Sequence, residues 1–360
     1  MSDQSLRDDL VRLTSELIAI PSTDDRPDQL QAVIDYAERY AQALPGVFVH
    51  RVEYEGKPSL IATLRDTRAP KFMLNAHLDV VAARPEQFNP TVRDGRIYGR
   101  ASQDMKGSGA VLLRLLRDLA AQPAPPDVGF MFVSDEEIGG ERGTGYLAEQ
   151  GWSCQFFLAA EPTDMQICYA QKGVLWVEAT LPGKPAHGSR PWDGTNAIAT
   201  LRDGLVALEQ RFPTPDEPAW LTTVVPTVVQ GGATSNRLPE DVHIIFDVRH
   251  VPDEQPDQII AAMQECFDGP VRLVRGGSPL NTNPADSFVQ QLAAAYQAVS
   301  GQPALLYREH FASDARFYSD LRIPAVCFGP VGAGLHSDEE WVSIDSLVEL
   351  YHVLARFVAE

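Results

Sequence analysis

The sequence predicts an α/β protein with a smaller α+β domain inserted near its middle, and three observations predict it. Short apolar runs recur at residues 72–76, 128–133, 156–160 and 325–328, each bounded by polar residues, as strands buried on both faces of a parallel sheet read. Long helical patterns at 109–121 and 288–299 lie between them, so strands and helices alternate. From about residue 173 to 280 the order becomes strand, helix, strand, strand, helix, strand, which is the ferredoxin-like arrangement.

Two helical patterns open the chain, at 6–20 and 27–43, and the intervening IPSTDDRPD supplies the Pro and Asp that break them. A hairpin-like stretch runs to about Asp66. The first apolar run stops at His77-Leu78-Asp79, and the glycine-bearing GRASQDMKGSG leads into the helix at 109–121. The next two runs end in SDEE and AAE. Within the insert, strands are expected at 175–181, 222–229, 242–248 and 271–274, with helices at 196–212 and 257–267. Val242, Ile244, Phe246 and Val248 alternate with His243, Asp247 and Arg249, so one face of that strand is apolar and the other polar. The expected larger domain is therefore 1–172 with 281–360, and the insert 173–280.

Composition narrows the function. A chain of 360 residues with 44% hydrophobic and 22% charged residues has the make-up of a globular protein, and its length favours two domains over one core. Its 30 Lys and Arg against 49 Asp and Glu give a net charge of −19, which excludes a basic footprint for nucleic acid. The acidity is spread, since residues 173–281 carry 8 Lys and Arg and 14 Asp and Glu, so it reads as solubility and not as a patch. No apolar run approaches the ~20 residues of a membrane span. The opening MSDQSLRDD is polar and acidic, unlike an export leader. Cys154, Cys168, Cys266 and Cys327 form no CxxC pair, so neither a disulfide framework nor a cysteine-zinc site is expected, and the expected compartment is cytoplasmic.

Chemistry-bearing side chains fall where the apolar runs end. His77 and Asp79 follow the first run, Glu136 and Glu137 the second, Glu161 the third, and His336 lies in GPVGAGLHSDEEW after the fourth. Asp104 lies in the glycine-bearing loop. Open α/β sheets bind ligands at the carboxyl ends of their strands, so these groups should converge. Two His and several carboxylates without a thiol suit zinc, cobalt or manganese. The donors exceed one tetrahedral shell. With Asp104 as bridge, one ion would take His77 and Glu161 and a second Glu137 and His336, about 3.5–4 Å apart, holding a shared water of lowered pKa. Asp79 could accept the second ring N–H of His77. Glu136 would remain unligated, the place of a general base. Singly, each acid would read as a helix cap or solvated strand end; their coincidence after apolar runs, where unpaired carboxylates are costly, favours metal.

The segments AHLDVV, GRASQDMKG, SDEEIGG, AAEPTD, AHGSRPWDGTNAI, SNRLPEDVHIIFDVR and LHSDEEW, in this order across essentially the whole chain, resemble the dinuclear zinc amidohydrolase and peptidase family. That family includes acetylornithine deacetylase, succinyl-diaminopimelate desuccinylase, aminoacylase and glutamate carboxypeptidase. The resemblance implies a mixed-sheet zinc-peptidase-like catalytic domain with an inserted lid or dimerisation domain. It implies His77, Asp104 and Glu161 on one zinc, Asp104, Glu137 and His336 on the other, Asp79 supporting His77, and Glu136 as base. It also implies that His187, in PAHGSRP, stabilises the oxyanion in its own or a partner subunit's site, and that Asn236 and Arg249 hold substrate. An imidazole donor suits developing negative charge, and a guanidinium fork suits a carboxylate. Without the resemblance, His187 would read as a turn residue between Pro185 and Pro191, and Arg249 as a surface ion-pair partner of Asp247 or Glu178.

Two positions matter against that pattern. Ala101 stands where the family loop before the bridging aspartate has a second glycine. Glu161 is glutamate where the aminopeptidase branch tends to have aspartate, which favours deacylases and carboxypeptidases. The expected protein is thus a cytoplasmic metal-dependent hydrolase of N-acyl amino acids, with a carboxypeptidase or dipeptidase as the alternative. Its partners would be a small acylated amino acid or short peptide and, through the insert, a second copy of itself. A metal-free binding protein would be expected to lack a ligand or the base. A serine hydrolase lacks support because no GxSxG elbow occurs, and GERGTG and PVGAG do not follow the dinucleotide fingerprint.

Overall fold

The computed structural model describes residues 3–359. In chain order its elements are α1 (Asp3–Ile18), α2 (Pro27–Gln42), β1 (Phe48–Tyr54), β2 (Lys57–Thr63), β3 (Phe72–His77), β4 (Thr91–Arg93), β5 (Arg96–Tyr98), α3 (Gly107–Ala120), β6 (Val128–Val133), α4 (Tyr146–Glu149), β7 (Phe156–Ala159) and β8 (Ile167–Gln171). There follow β9 (Gly173–Pro182), α5 (Ala197–Arg211), β10 (Thr223–Gly231), β11 (Asp241–His250), α6 (Pro256–Gln264) and β12 (Val271–Gly277). The chain closes with β13 (Leu280–Asn281), α7 (Ser287–Ser300), β14 (Leu306–Glu309), α8 (Ala315–Asp320), β15 (Ala325–Cys327), β16 (Gly332–Ala333), β17 (Trp341–Ser343) and α9 (Ile344–Ala359). Two compact units result. The smaller is Gln171–Pro279 with Glu309–Ala312, and the larger takes the rest.

The larger unit holds a mixed nine-stranded sheet in the order β1-β2-β6-β3-β7-β15-β8-β13, with β14 on β8. Its centre, β6-β3-β7-β15, is parallel throughout. These are the uniformly apolar runs, and alternate residues go to opposite faces. Phe72, Leu74 and Ala76 of β3 enter one core with α1, α2, α3, α7 and α9, while Met73 enters another with Trp152 and Tyr318. Helix α3 is buried nearly all round, including Arg114, whose charge is held by Asp9 and Asp118 at 3.0 Å each. Helix α9, for which the sequence reading places no element, buries Leu347, Leu350, Val353, Leu354 and Phe357 at helical spacing. A second sheet, β16-β17-β5-β4, is built of strands two or three residues long.

The smaller unit is a four-stranded sheet ordered β10-β11-β9-β12, antiparallel at every pairing. Leu175, Val177, Ala179 and Leu181 of β9 and Val242, Ile244, Phe246 and Val248 of β11 pack against α5 and α6. The polar alternates Glu178, His243, Asp247 and Arg249 take the other face. Asn196 caps α5, its side chain accepting the Ile198 N–H at 3.1 Å. The strands outrun the apolar periodicity, β11 by a residue or two at each end, because their polar flanks remain in the hydrogen-bond ladder. The chain leaves the larger unit after β8 and returns at β13. Those strands are neighbours, tied where the Thr282 N–H donates to the Tyr169 carbonyl at 2.9 Å.

Candidate metal centre and hydrolytic site

Because β6, β3, β7 and β15 are parallel and adjacent, their carboxyl ends lie along one edge of the larger unit's sheet. His77 is the last residue of β3; Glu136 and Glu137 begin a short turn after β6; Glu161 is two residues beyond β7; His336 lies between β16 and β17. Asp104 is in the segment just before α3. The structure gathers these side chains into two trios, His77-Asp104-Glu161 and Asp104-Glu137-His336, with ligand atoms in each within 4.8 Å of one another. Asp104 belongs to both. Its Oδ1 lies 3.0 Å from His77 Nε2 and its Oδ2 3.2 Å from His336 Nε2. His77 Nε2 lies 3.9 Å from Glu161, and His336 Nε2 3.4 Å from Glu137. Donors bonded tetrahedrally at about 2.0–2.1 Å to one ion are separated by ~3.3 Å, so the spacing fits a divalent metal in each trio.

The electrostatics fit as well. Burial, together with the charge of Glu161, pushes Glu136 well above the usual carboxylate range. Burial likewise raises Glu161 and Glu137, with Asp104 among the repelling charges. Asp104 resists the same burial and is lowered because His336 and His77 hydrogen-bond to it. Burial opposes protonation of His77, yet the carboxylates of Asp104 and Asp79 raise it well above its usual value. His336, bonded to Asp104 and Glu137, is raised to about 10. A packed set of acids with few cations among them is what a divalent ion neutralises. Glu161 Oε1 is buried without a hydrogen-bond partner, a further open acceptor.

Asp79 supports His77 differently from the sequence expectation. The ring Nδ1 lies 3.0 Å from the Asp79 backbone carbonyl, whereas the carboxylate is 3.6 Å away. The chain runs on past β3 with the Leu78 N–H donating to the Val133 carbonyl and the Val80 N–H to the Ser22 carbonyl, which fixes the backbone of Asp79 beside the ring. The carboxylate is free to accept the Glu137 N–H at 3.0 Å, joining the ends of β3 and β6. Glu136 belongs to neither trio, and its Oε2 is 4.0 Å from His77 Nε2.

Three supporting acids escaped the sequence reading. Asp135 accepts the N–H groups of Arg142 at 2.8 Å and Gly143 at 3.0 Å, and burial plus repulsion from Asp314 raises it to about 7. Asp314 accepts the Thr144 hydroxyl at 2.5 Å and is raised by burial to about 6. Glu340 accepts backbone N–H groups of the Asp104 loop. Asp135, beside Glu136 in SDEE, and Glu340, which ends the acidic run of LHSDEEW, each offered a signal; Asp314 is a lone acid whose partner Thr144 is distant in sequence. At the departure from the family pattern, Ala101 is buried with φ 63°, taking the left-handed conformation that glycine adopts freely.

In the smaller unit, His187 and Asn236 line one pocket of about 350 Å³ with Pro185, Ala186, Thr234 and Arg237. His187 Nδ1 accepts the Ser189 N–H at 3.2 Å, so in the neutral ring the proton sits on Nε2. This pocket lies at the end of the sheet where Gly183 and Leu238 donate to Glu240 and Ala186. Arg249 is not brought there. It lies eight positions beyond Asp241 along β11, about 26 Å at strand rise. Its Nε and Nη2 are paired with Asp247 at 2.7 and 3.0 Å, the surface ion pair that the residues alone suggested. Lys172, also missed, is buried beside it, and burial and the Arg249 charge lower its pKa.

Fold and site together define a metal-dependent hydrolase of amide bonds. Residues 73–360 match the family described as Peptidase family M20/M25/M40, and the chain belongs to that family. It is 30% identical over 347 residues to succinyl-diaminopimelate desuccinylase 2 of Shewanella loihica, covering 87% of this chain and 91% of that one. Among solved structures it is similar to aminopeptidase PepT of Bacillus cereus, with TM-score 0.82, 21% identity, and 98% and 99% of the two chains covered. It is also similar to a dinuclear metal-binding peptidase of the M20 family from Bacillus subtilis, with TM-score 0.71, 14% identity, and 99% and 98% covered. Among the described residues, no helix is long and apolar enough to cross a membrane.

Proposed function

We propose that the protein is a dinuclear deacylase that cleaves the amide of an N-acyl amino acid, releasing a carboxylate and a free amine. The observation that carries this reading is Asp104, which turns one oxygen to His77 and the other to His336. His77, Asp104 and Glu161 would hold one divalent ion, and Asp104, Glu137 and His336 the other. The donor set favours zinc, with cobalt or manganese able to replace it. When bound, such ions polarise a scissile carbonyl and acidify a water. Glu136, outside both trios, takes the water's proton and passes it to the leaving nitrogen. His187 donates its Nε2 proton to the developing oxyanion. Arg249, whose Nη1 is outside the Asp247 pair, offers a second edge to the substrate carboxylate, with the Lys172 charge beside it.

The wide separation of Arg249 from the His187–Asn236 pocket favours two copies at each site, one giving Arg249 and the other His187 and Asn236. The edge strand β10, with Val225, Val228 and Val229 exposed, suits such a homodimer. The desuccinylase among its relatives supports an acyl amino acid as substrate. A carboxypeptidase or dipeptidase is the second reading, favoured by the family's description as a peptidase family. The test is a panel of N-acetyl and N-succinyl amino acids and dipeptides offered to metal-reconstituted protein. Turnover of the acyl amino acids is expected; cleavage of dipeptides alone would sink the deacylase.

A further inference from the structure

We infer that Glu340 is a positioning residue that fixes the bridging carboxylate of Asp104 and ties it to the loop bearing His336. The inference rests on the dinuclear reading above. Glu340 is 2% exposed, and every bond to its carboxylate comes from one short segment. Oε1 accepts the N–H groups of Gln103 at 3.1 Å and Asp104 at 3.3 Å. Oε2 accepts the Ala101 N–H at 3.0 Å and Arg100 Nη1 at 2.7 Å. The Glu340 backbone carbonyl adds the Gly99 N–H at 3.1 Å. A carboxylate offers about four acceptor sites, so Glu340 has none left for a metal and acts through Asp104.

The segment it holds would not stay in place unaided. Ala101 is left-handed at φ 63°, a conformation that persists in a non-glycine residue only when its surroundings over-determine it. Glu340 supplies that constraint through the Ala101 N–H. It also lies four residues after His336, itself left-handed at φ 58°. The loop that carries both is tight: a Cβ on Gly334 would lie 2.5 Å from the Glu339 carbonyl oxygen. A shift of Glu340 therefore moves a ligand on each side of the site, the shared Asp104 and the single-trio His336.

The experiment compares metal-free wild type with Glu340→Gln, Glu340→Asp and the exposed control Glu339→Gln. Zinc is titrated by calorimetry, the visible spectrum of the cobalt-loaded protein is recorded, and the metal-free forms are melted. Wild type and Glu339→Gln should bind two ions alike. Glu340→Gln keeps the shape but turns N–H groups toward N–H donors, so its affinity should fall about 10- to 100-fold at both sites. Its cobalt bands should shift, and kcat should fall with KM little changed. Glu340→Asp, which keeps the charge, should fall between, and it decides alone if Glu340→Gln does not fold. Two sites in wild type with unaltered affinities and cobalt bands in the variants overturn this inference alone, even where melting temperature drops. Fewer than two sites in wild type overturn the dinuclear reading and the inference with it.

Discussion

Glu136 and Glu137 are consecutive glutamates, both half-buried among carboxylates, yet the turn after β6 sends them to different tasks. Glu137 has its backbone N–H pinned by Asp79 and its carboxylate 3.4 Å from His336, inside a trio. Glu136 points toward His77 and belongs to neither. The Glu136→Gln substitution should therefore lower turnover by about 10²–10⁴-fold, the usual worth of a general base, and leave metal content unchanged. Turnover within tenfold of wild type would reassign the base. Sequence alone could propose this split, because the spacing of the acids relative to the strand end is local. It could not show that His77 is oriented by the Asp79 carbonyl, since that depends on the backbone path after β3, which bonds to Val133 and Ser22.

At the scale of elements, β7 and β15 approach so closely that one hydrogen atom matters. A Cβ on Gly329 would lie 2.2 Å from the Glu161 carbonyl oxygen and 2.7 Å from that of Ala160. The Gly329→Ala substitution should displace the end of β7, cost about 1–3 kcal/mol in urea unfolding, and weaken metal binding at the trio containing Glu161. Unchanged stability and affinity would mean that the strand ends have more slack than this packing allows. The parallel strands themselves were legible, since runs such as VGFMFV have no polar residue to place on a solvated face. The order of elements in the smaller unit was legible from the succession of strand and helix patterns, and the apolar face of β11 from its period-2 alternation. The β16-β17-β5-β4 sheet was not, because strands of two or three residues carry no period. Arg249 illustrates a different limit: strand periodicity gives its face, but the distance to His187 emerges only once the register is known.

For the whole molecule, both trios lie in the larger unit, so metal should stabilise that unit selectively. An ion present at a hundred times its Kd adds about 2.7 kcal/mol to the state that binds it. Scanning calorimetry with and without a chelator should show one transition lowered and the other unmoved; equal shifts in both would contradict the assignment of the site to one unit. Assembly makes a second prediction. If His187 serves the active site of a second copy, His187→Ala and Glu136→Gln proteins, each inactive alone, should regain activity when mixed. In a symmetric dimer with random exchange, half the dimers are hybrids with one competent site, so about a quarter of wild-type activity is expected. No recovery after verified subunit exchange would place His187 in its own chain's site.

The junction between the units has a consequence for ancestry. The chain departs after β8 and returns on β13, its neighbour in the sheet. A gene could therefore gain, lose or exchange residues 172–279, nearly all of the second unit, by recombination at one point, without interrupting β8 or β13. Lineages built on this plan can diversify the insert under selection for new substrates while inheriting the hydrolytic centre intact.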